Sequence, residues 1–358
     1  MRVLHVTDHY PPVMGGIESH VCELSEQQSR RGHDVSVLTS TPRRADGRIS
    51  TDVGPTRVWR AGSLLEGLRF DIGGYDLVHA HLSVVAPFSG PLTGVFARRG
   101  VPTVVTVHSL WNGMGPVPRW GAELSRLRRA PVTWTAVSPV AAEQVRVRLP
   151  AHLQVGVLPN AVSTRPRDTT PVHDGRLRLV STMRLAARKR PLELLRVVEA
   201  LRREVPVQLT LVGDGPLRPK VEQLVRRLGL SSAVQITGRV EPAVVRERLA
   251  DSDVYVAPAV LESFGLAALE ARCVGLPVVG RARTGLTGFV RDGIEGFLGD
   301  TDADLLGALR DLAVDHDLRH WISEHNRTVP SEMTWTRALD AHDEVYAAAL
   351  GDVVVRQR

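Results

Sequence analysis

Twice along the chain, short runs of β-branched and apolar residues alternate with amphipathic stretches, and this alternation limits the fold more than any other feature. Arg2-Val-Leu-His-Val-Thr7 reads as a strand. A loop, Asp8 to Gly16, leads into a helix over 17–31 with Ile17, Val21 and Leu24 on one stripe, and 34–39 is the next strand. Strand, helix, strand in that order specifies a right-handed parallel unit. Further strands are expected at 76–80, 103–107, 133–137 and 154–158, with Ser138 capping a helix ahead of Pro139. The stretch 41–60 reads as irregular, with a strand near Arg57-Val-Trp-Arg60.

Residues 159–174 hold Pro159, Pro166 and Pro171 among Asn, Ser, Thr and Asp, and read as a linker. A fresh alternation follows. Strands are expected at 177–181, 207–212, 234–237, 254–257 and 277–280, and helices at 191–203, 217–228, 242–250, 303–314 and 316–325. The expected class is therefore α/β, with two tandem Rossmann-like doubly wound parallel-sheet domains at 1–163 and 175–334. Residues 335–358 hold a final amphipathic helix, expected to pack back on the first domain. Ligands of such sheets sit at strand carboxyl ends, so the cleft between the domains is the expected site.

Composition narrows the class. A chain of 358 residues that is 43% hydrophobic has enough apolar material for two cores and is not disordered. Cys22 and Cys273 are far apart in sequence, which makes neither a disulfide framework nor a metal cluster and points to the reducing cytoplasm. The opening strand carries His5 and Asp8 and does not read as a signal peptide. The longest apolar stretch, 77–97, contains His79, His81, Pro87 and Pro91, which argues against a membrane span. The net charge of +6 is arginine-based, Lys189 and Lys220 being the only lysines. Such a balance suits anionic lipid on the cytoplasmic face, with Arg126, Arg128 and Arg129 as the candidate contacts. Nucleic acid is not expected, because a stacking groove needs aromatics and these are 4% of the chain. Nothing in the sequence specifies an oligomeric state.

One stretch carries more chemistry than the rest, Pro258-Ala-Val-Leu-Glu-Ser-Phe-Gly-Leu-Ala-Ala-Leu-Glu270. It reads as strand end, tight turn and helix. Glu262 stands before the helix and Glu270 two turns inside it, roughly 12 Å apart along the axis. A helix N-terminus receives phosphate well, and Gly265 lets backbone approach it closely. A carboxylate on either side of a diphosphate can accept hydrogen bonds from hydroxyls flanking it. A nucleotide-diphosphate sugar has that layout.

At these residues the chain resembles the family-4 retaining glycosyltransferases of the GT-B fold. The resemblance covers nearly the whole chain. It implies that Glu262 touches the donor sugar, that Ser263, Phe264, Gly265 and Leu266 hold the diphosphate, and that Glu270 holds the ribose. It matches an Arg and a Lys five apart to Arg184 and Lys189, in Met183-Arg-Leu-Ala-Ala-Arg-Lys-Arg-Pro191. Fixed cations there would stabilise charge building on the leaving diphosphate. It further implies donor contact at Gly15 and Gly16, whose amides cap the distal phosphate, and at Gly238, Arg239 and Val240, which hold the base through backbone. His108, closing strand 103–107, is implied near the transferred sugar. Because the donor motifs cluster in the second domain, the first is expected to bind the acceptor, with Glu18 and His108 on that surface. The partners implied are a nucleotide sugar, UDP- or GDP-linked, and a hydroxyl acceptor on a lipid, glycan or small metabolite. No metal and no cofactor are expected, since Asp251-Ser-Asp253 and Asp302-Ala-Asp304 read as capping and helix-start residues.

Two departures stand out. Pro159-Asn-Ala-Val-Ser163 replaces the usual Pro-Asn-Gly-Val-Asp, and Gly280-Arg-Ala-Arg-Thr-Gly285 replaces a Gly-Gly turn beside the donor sugar. The alternative readings are a nucleotide-sugar epimerase on the same plan, which the Phe-Gly-Leu turn between two glutamates opposes, and a basic surface- or nucleic-acid-binding protein. A dinucleotide oxidoreductase lacks its Gly-x-Gly-x-x-Gly after the first strand.

Overall fold

Parallel sheets covered on both faces need strands that are apolar along their whole length. Strand β1 (Arg2–Thr7) meets that demand, being buried from its second residue onward. The computed structural model describes residues 1–45, 48–49, 54–110, 127, 130–168 and 175–356. Two units emerge, Met1–Ala161 with Thr334–Arg358, and Val162–Met333. Arg126, Arg128 and Arg129 lie outside the described residues.

In the first unit β1 is followed by β2 (Asp34–Thr39), a small antiparallel pair β3 (Arg44–Ala45) and β4 (Arg48–Ile49), β5 (Arg57–Arg60), β6 (Leu77–Leu82), β7 (Thr103–Val107), β8 (Val132–Ala136) and β9 (Val155–Val157). Seven of these form one parallel sheet in the order β5-β2-β1-β6-β7-β8-β9. The second unit adds β10 (Leu177–Thr182), β11 (Val207–Val212), β12 (Val234–Gly238), β13 (Val254–Ala257), β14 (Val278–Arg281) and β15 (Gly296–Gly299), ordered β12-β11-β10-β13-β14-β15. Strand order reverses between β1 and β6 in one sheet and between β10 and β13 in the other. Loops leaving those strands diverge and open the crevice where such sheets bind ligands.

The apolar stretch 77–97 resolves into β6 and a buried helix, Ser89–Arg98. Gly90, Pro91 and Gly94 conceal that helix in the sequence, but Pro91 sits in the first turn, where its missing N–H costs nothing. The buried Asp8 carboxylate accepts from the amides of Phe88 and Ser89 at 2.8 and 3.1 Å, so the loop after β1 caps this helix. Strand β15 also escapes sequence reading, because glycine carries no strand signal. A Cβ on Gly296 would lie 1.9 Å from the Val278 carbonyl, so only glycine lets the two strands meet.

The helix Trp335–Arg356 belongs to the first unit. Its Tyr346 and Ala349 pack with Val3, Leu77, Val104 and Leu158, and its Trp335, Ala338 and Leu339 with Leu24 and Ala161. The second unit has one large core, joining β10, β11 and β13 to the helices Pro191–Arg202, Arg218–Arg227 and Asp302–Val314. Among the described residues no helix is long and apolar enough to cross a membrane.

Candidate active site

The reversal between β10 and β13 decides which residues meet in the second unit. The chain leaves β10 through Met183 and Arg184 into a short 3-10 turn, Ala187–Lys189. Arg190 then takes a left-handed conformation, φ 57°, and Pro191 starts the next helix. From β13 the chain runs through Pro258 to Gly265 and into the helix Leu266–Val274. Gly265 has φ 96°, which favours glycine there, and its helix offers unpaired amides and a positive dipole end.

The two loops are joined by an ion pair, Lys189 Nζ to Glu262 Oε2 at 2.5 Å, with the side chains 32% and 19% exposed. Arg188 Nε also reaches the Leu261 carbonyl at 3.4 Å. A half-buried pair of this kind fixes both partners more firmly than a surface pair. Glu262 is also held through its backbone, since the Gly285 amide donates to its carbonyl at 2.8 Å. A Cβ on Gly285 would stand 2.1 Å from the Ser263 carbonyl, so this glycine is needed where the loop after β14 presses on the Ser263-Phe264 turn. Phe264 is buried and packs on Phe289, ring centroids 5.5 Å apart, which anchors the turn from below.

The altered segment 280–285 has its own fastening. Arg281 is buried, and its Nε donates to the Pro258 carbonyl at 3.2 Å. Its Nη2 bonds Asp302, which also takes Arg190 Nη2 on both oxygens at 3.0 and 2.7 Å. One carboxylate thus ties the loops after β10 and β14 together, and Arg281 ties them to the loop after β13. Tyr255 on β13 is buried and donates to the Thr182 carbonyl at 3.2 Å. Burial pushes its phenol above the usual range, and the charges of Glu262 and Glu270 push it further. Gly238, φ 72°, ends β12 two strands away from β10, and its carbonyl accepts the Gly213 amide at 2.9 Å, with Arg239 and Val240 following it. Asp253 accepts the Arg178 amide at 2.8 Å, a structural bond between β10 and β13.

In the first unit Gly15 precedes the helix Gly16–Arg30 with extended backbone and no side-chain cap. Glu18 folds back over it, and a Cβ on Gly15 would lie 2.3 Å from Glu18 Oε2. Glu18 is buried, so the structure sets a carboxylate of the chain's own beside the amides that the sequence assigns to a phosphate. His108 follows β7, and its amide donates to the Leu82 carbonyl at 2.8 Å. It is buried, and burial lowers its pKa to about 3, with the His342 charge as the smaller cause.

His108 is one of a group. His5, His20, His79, His81 and His342 are also buried, and burial lowers each pKa, to about 4 for His5 and His342. His5, His79 and His81 bring ring nitrogens within 4.8 Å of one another, a spacing that could hold a metal ion. Those nitrogens already have partners: His5 Nδ1 with His81 Nε2 at 2.8 Å, and His79 Nδ1 with the Tyr346 hydroxyl at 2.7 Å. His5, His79, His81 and His108, with Gln28 and Tyr346, form a hydrogen-bonded network.

Comparison with known proteins places this geometry. Residues 164–329 match the family described as Glycosyl transferases group 1, and residues 14–165 match Glycosyltransferase Family 4. The D-inositol 3-phosphate glycosyltransferase of Nocardiopsis dassonvillei is 30% identical, over 97% of this chain and 94% of the relative. The chain belongs to glycosyltransferase family 4. Solved structures share its fold, two of them as follows. Sucrose-phosphate synthase from Thermosynechococcus elongatus superposes with TM-score 0.76 at 20% identity, covering 97% of this chain and 99% of that one. Anabaena HepE, solved with UDP and glucose, has TM-score 0.76 at 18% identity, covering 96% and 99%. The two parallel sheets of this glycosyltransferase are thus those of the GT-B fold.

Of the residues named from sequence, the structure of the glycosyltransferase brings Lys189, Glu262 and the turn 263–266 together, with Arg184 on the same loop as Lys189 and Glu270 on the helix that follows. Sequence reading missed Arg281, Asp302, Tyr255, Asp8 and the histidine network. A signal for the last existed. His79-Ala-His81 puts two histidines on one face of a strand, and β1 pairs with β6 so that His5 stands opposite His79.

Proposed function

We propose that this glycosyltransferase is a retaining, metal-independent enzyme that moves a hexosyl group from a nucleotide-diphosphate sugar to a hydroxyl acceptor. The observation that carries the reading is the Lys189–Glu262 pair at the β10/β13 reversal, set before the open amides of the helix Leu266–Val274. Lys189, Arg184 and those amides suit a diphosphate, and they supply fixed positive charge where a breaking glycosidic bond deposits negative charge. Glu262, held by its own carbonyl and by Lys189, orients a sugar hydroxyl. Glu270 takes the ribose, and the backbone at Gly238, Arg239 and Val240 takes the base. Gly15 and Gly16 serve the distal phosphate once Glu18 turns to the acceptor, and His108 positions the transferred sugar. Retention then follows front-face exchange, in which the leaving diphosphate helps remove the acceptor proton and Glu262 does not attack. Phosphorylated cyclitols are the first acceptors to assay, because the relatives are named inositol 3-phosphate glycosyltransferases. The test is transfer from UDP-, GDP-, ADP- and dTDP-sugars, with the product's anomeric configuration read by NMR. Retained configuration and a rate unchanged by EDTA are expected. Inverted product, or loss with EDTA and recovery with magnesium, would contradict the reading.

A further inference from the structure

We propose that Gln28, His5 and His81 are positioning residues that hold His108 in one tautomer, with Nε2 protonated and Nδ1 left as the acceptor. The direction of the hydrogen bonds can be followed from a group that only accepts. Thr135 Oγ1 donates to the Val105 carbonyl at 3.0 Å, so it accepts from Thr106 Oγ1 at 2.7 Å. Thr106 has then spent its proton and accepts from His79 Nε2 at 2.7 Å. A neutral His79 protonated at Nε2 must accept at Nδ1, and the Tyr346 hydroxyl donates there at 2.7 Å. Tyr346 in turn accepts from Gln28 Nε2 at 2.9 Å, which turns Gln28 Oε1 toward His5 Nε2 at 2.7 Å.

From Gln28 the same logic runs outward. His5 donates through Nε2 and so accepts at Nδ1 from His81 Nε2, at 2.8 Å. His81 then accepts at Nδ1 from His108 Nε2, at 3.0 Å. Burial keeps all the rings neutral, so each carries one proton, and the direction set where Thr135 donates to the Val105 carbonyl passes from link to link. His108 therefore meets any further partner through Nδ1 as an acceptor, which suits a sugar or acceptor hydroxyl and not a phosphate. The value of this for catalysis rests on the role given to His108 above; the tautomer itself does not.

Ring-nitrogen NMR of the 15N-histidine-labelled full chain reads the tautomer directly, with His108 assigned by the loss of its signals in His108→Phe. A single Nε2–H form is expected in the wild type. Tyr346→Phe keeps the packing but frees the Gln28 amide to turn over, so His108 should become a mixture of tautomers although the change is far along the network. Adding Gln28→Glu, which as a carboxylate can only accept from His5, should restore the single form. His81→Phe should abolish the preference outright. An Nδ1–H form in the wild type, or a His108 signature unchanged in Tyr346→Phe and in His81→Phe, would overturn the proposal. Turnover separates the two ideas. If the tautomer mixes while kcat stays constant, the positioning holds and the catalytic role of His108 fails.

Discussion

Replacing Lys189 with alanine should slow sugar transfer by about 100- to 1,000-fold, the loss found when one preorganised charge-stabilising donor is removed from an active site. The effect has two parts. The diphosphate loses a fixed cation as negative charge develops on it. Glu262 also loses the ammonium that holds it at 2.5 Å, so its carboxylate, proposed to orient the sugar, is left half-buried and unsupported by that partner. Arg184→Ala should act through the first part alone and cost less. Steady-state kinetics check this, and the fall should appear mainly in kcat, since about 1.4 kcal/mol of transition-state stabilisation is tenfold in rate. Turnover near wild type in Lys189→Ala would reduce the pair to a structural salt bridge.

The second large effect is acid sensitivity of the first unit. His5, His20, His79, His81, His108 and His342 are buried, with pKa values lowered from 6.5. Burial penalises their charged form. Above pH 6.5 neither the folded nor the unfolded state binds protons at these rings, and their contribution to stability is fully present. As the pH falls below 6.5 the unfolded chain takes up protons that the folded one refuses. Each ring then removes about 1.4 kcal/mol per pH unit until its folded pKa is reached, about 4 for His5 and about 3 for His108. Together they should unfold the first unit well before pH 4. In the second unit burial of Glu295 would raise its pKa, but its bonds to Arg291 and His325 outweigh that and lower it, so its contribution is full above the usual carboxylate value of 4.5 and is lost only as the pH falls from there toward the lowered folded value. A thermal melt series from pH 8 to 4, followed by near-ultraviolet circular dichroism, to which the buried Trp134 contributes, should show a transition that moves down steeply from pH 6.5. A flat melting temperature between pH 6.5 and 5 would contradict the neutral-core account.

Much of the fold is legible because parallel sheets leave a plain trace. The strand at Arg57–Arg60 is readable beside an irregular stretch, and it pairs in parallel with β2. The helix Leu266–Val274 announces itself by Gly265 before it and Gly275 after it, both left-handed. Elements built on glycine leave no such trace, as β15 and the helix Ser89–Arg98 show. The site divides in the same way. Glu262 and Gly265 stand in one local motif, but the Lys189–Glu262 contact spans 73 positions and exists only because β10 and β13 are neighbours. Arg281 reads as a departure from a Gly-Gly turn until Asp302 is seen to bind it and Arg190 at once. Histidines in strands read as ordinary sheet residues until the register sets His5 against His79.

The central claim is that the second unit binds a nucleoside diphosphate with Glu270 on the ribose. Isothermal titration of UDP, GDP, ADP and dTDP into the full chain tests it, with Glu270→Ala in parallel. At least one nucleotide should bind the wild type. The variant should bind that nucleotide at least about tenfold more weakly, the loss of a hydrogen bond to a charged group being about 1.5–3 kcal/mol. Failure of all four nucleotides to bind, or equal affinity in Glu270→Ala, would contradict the account.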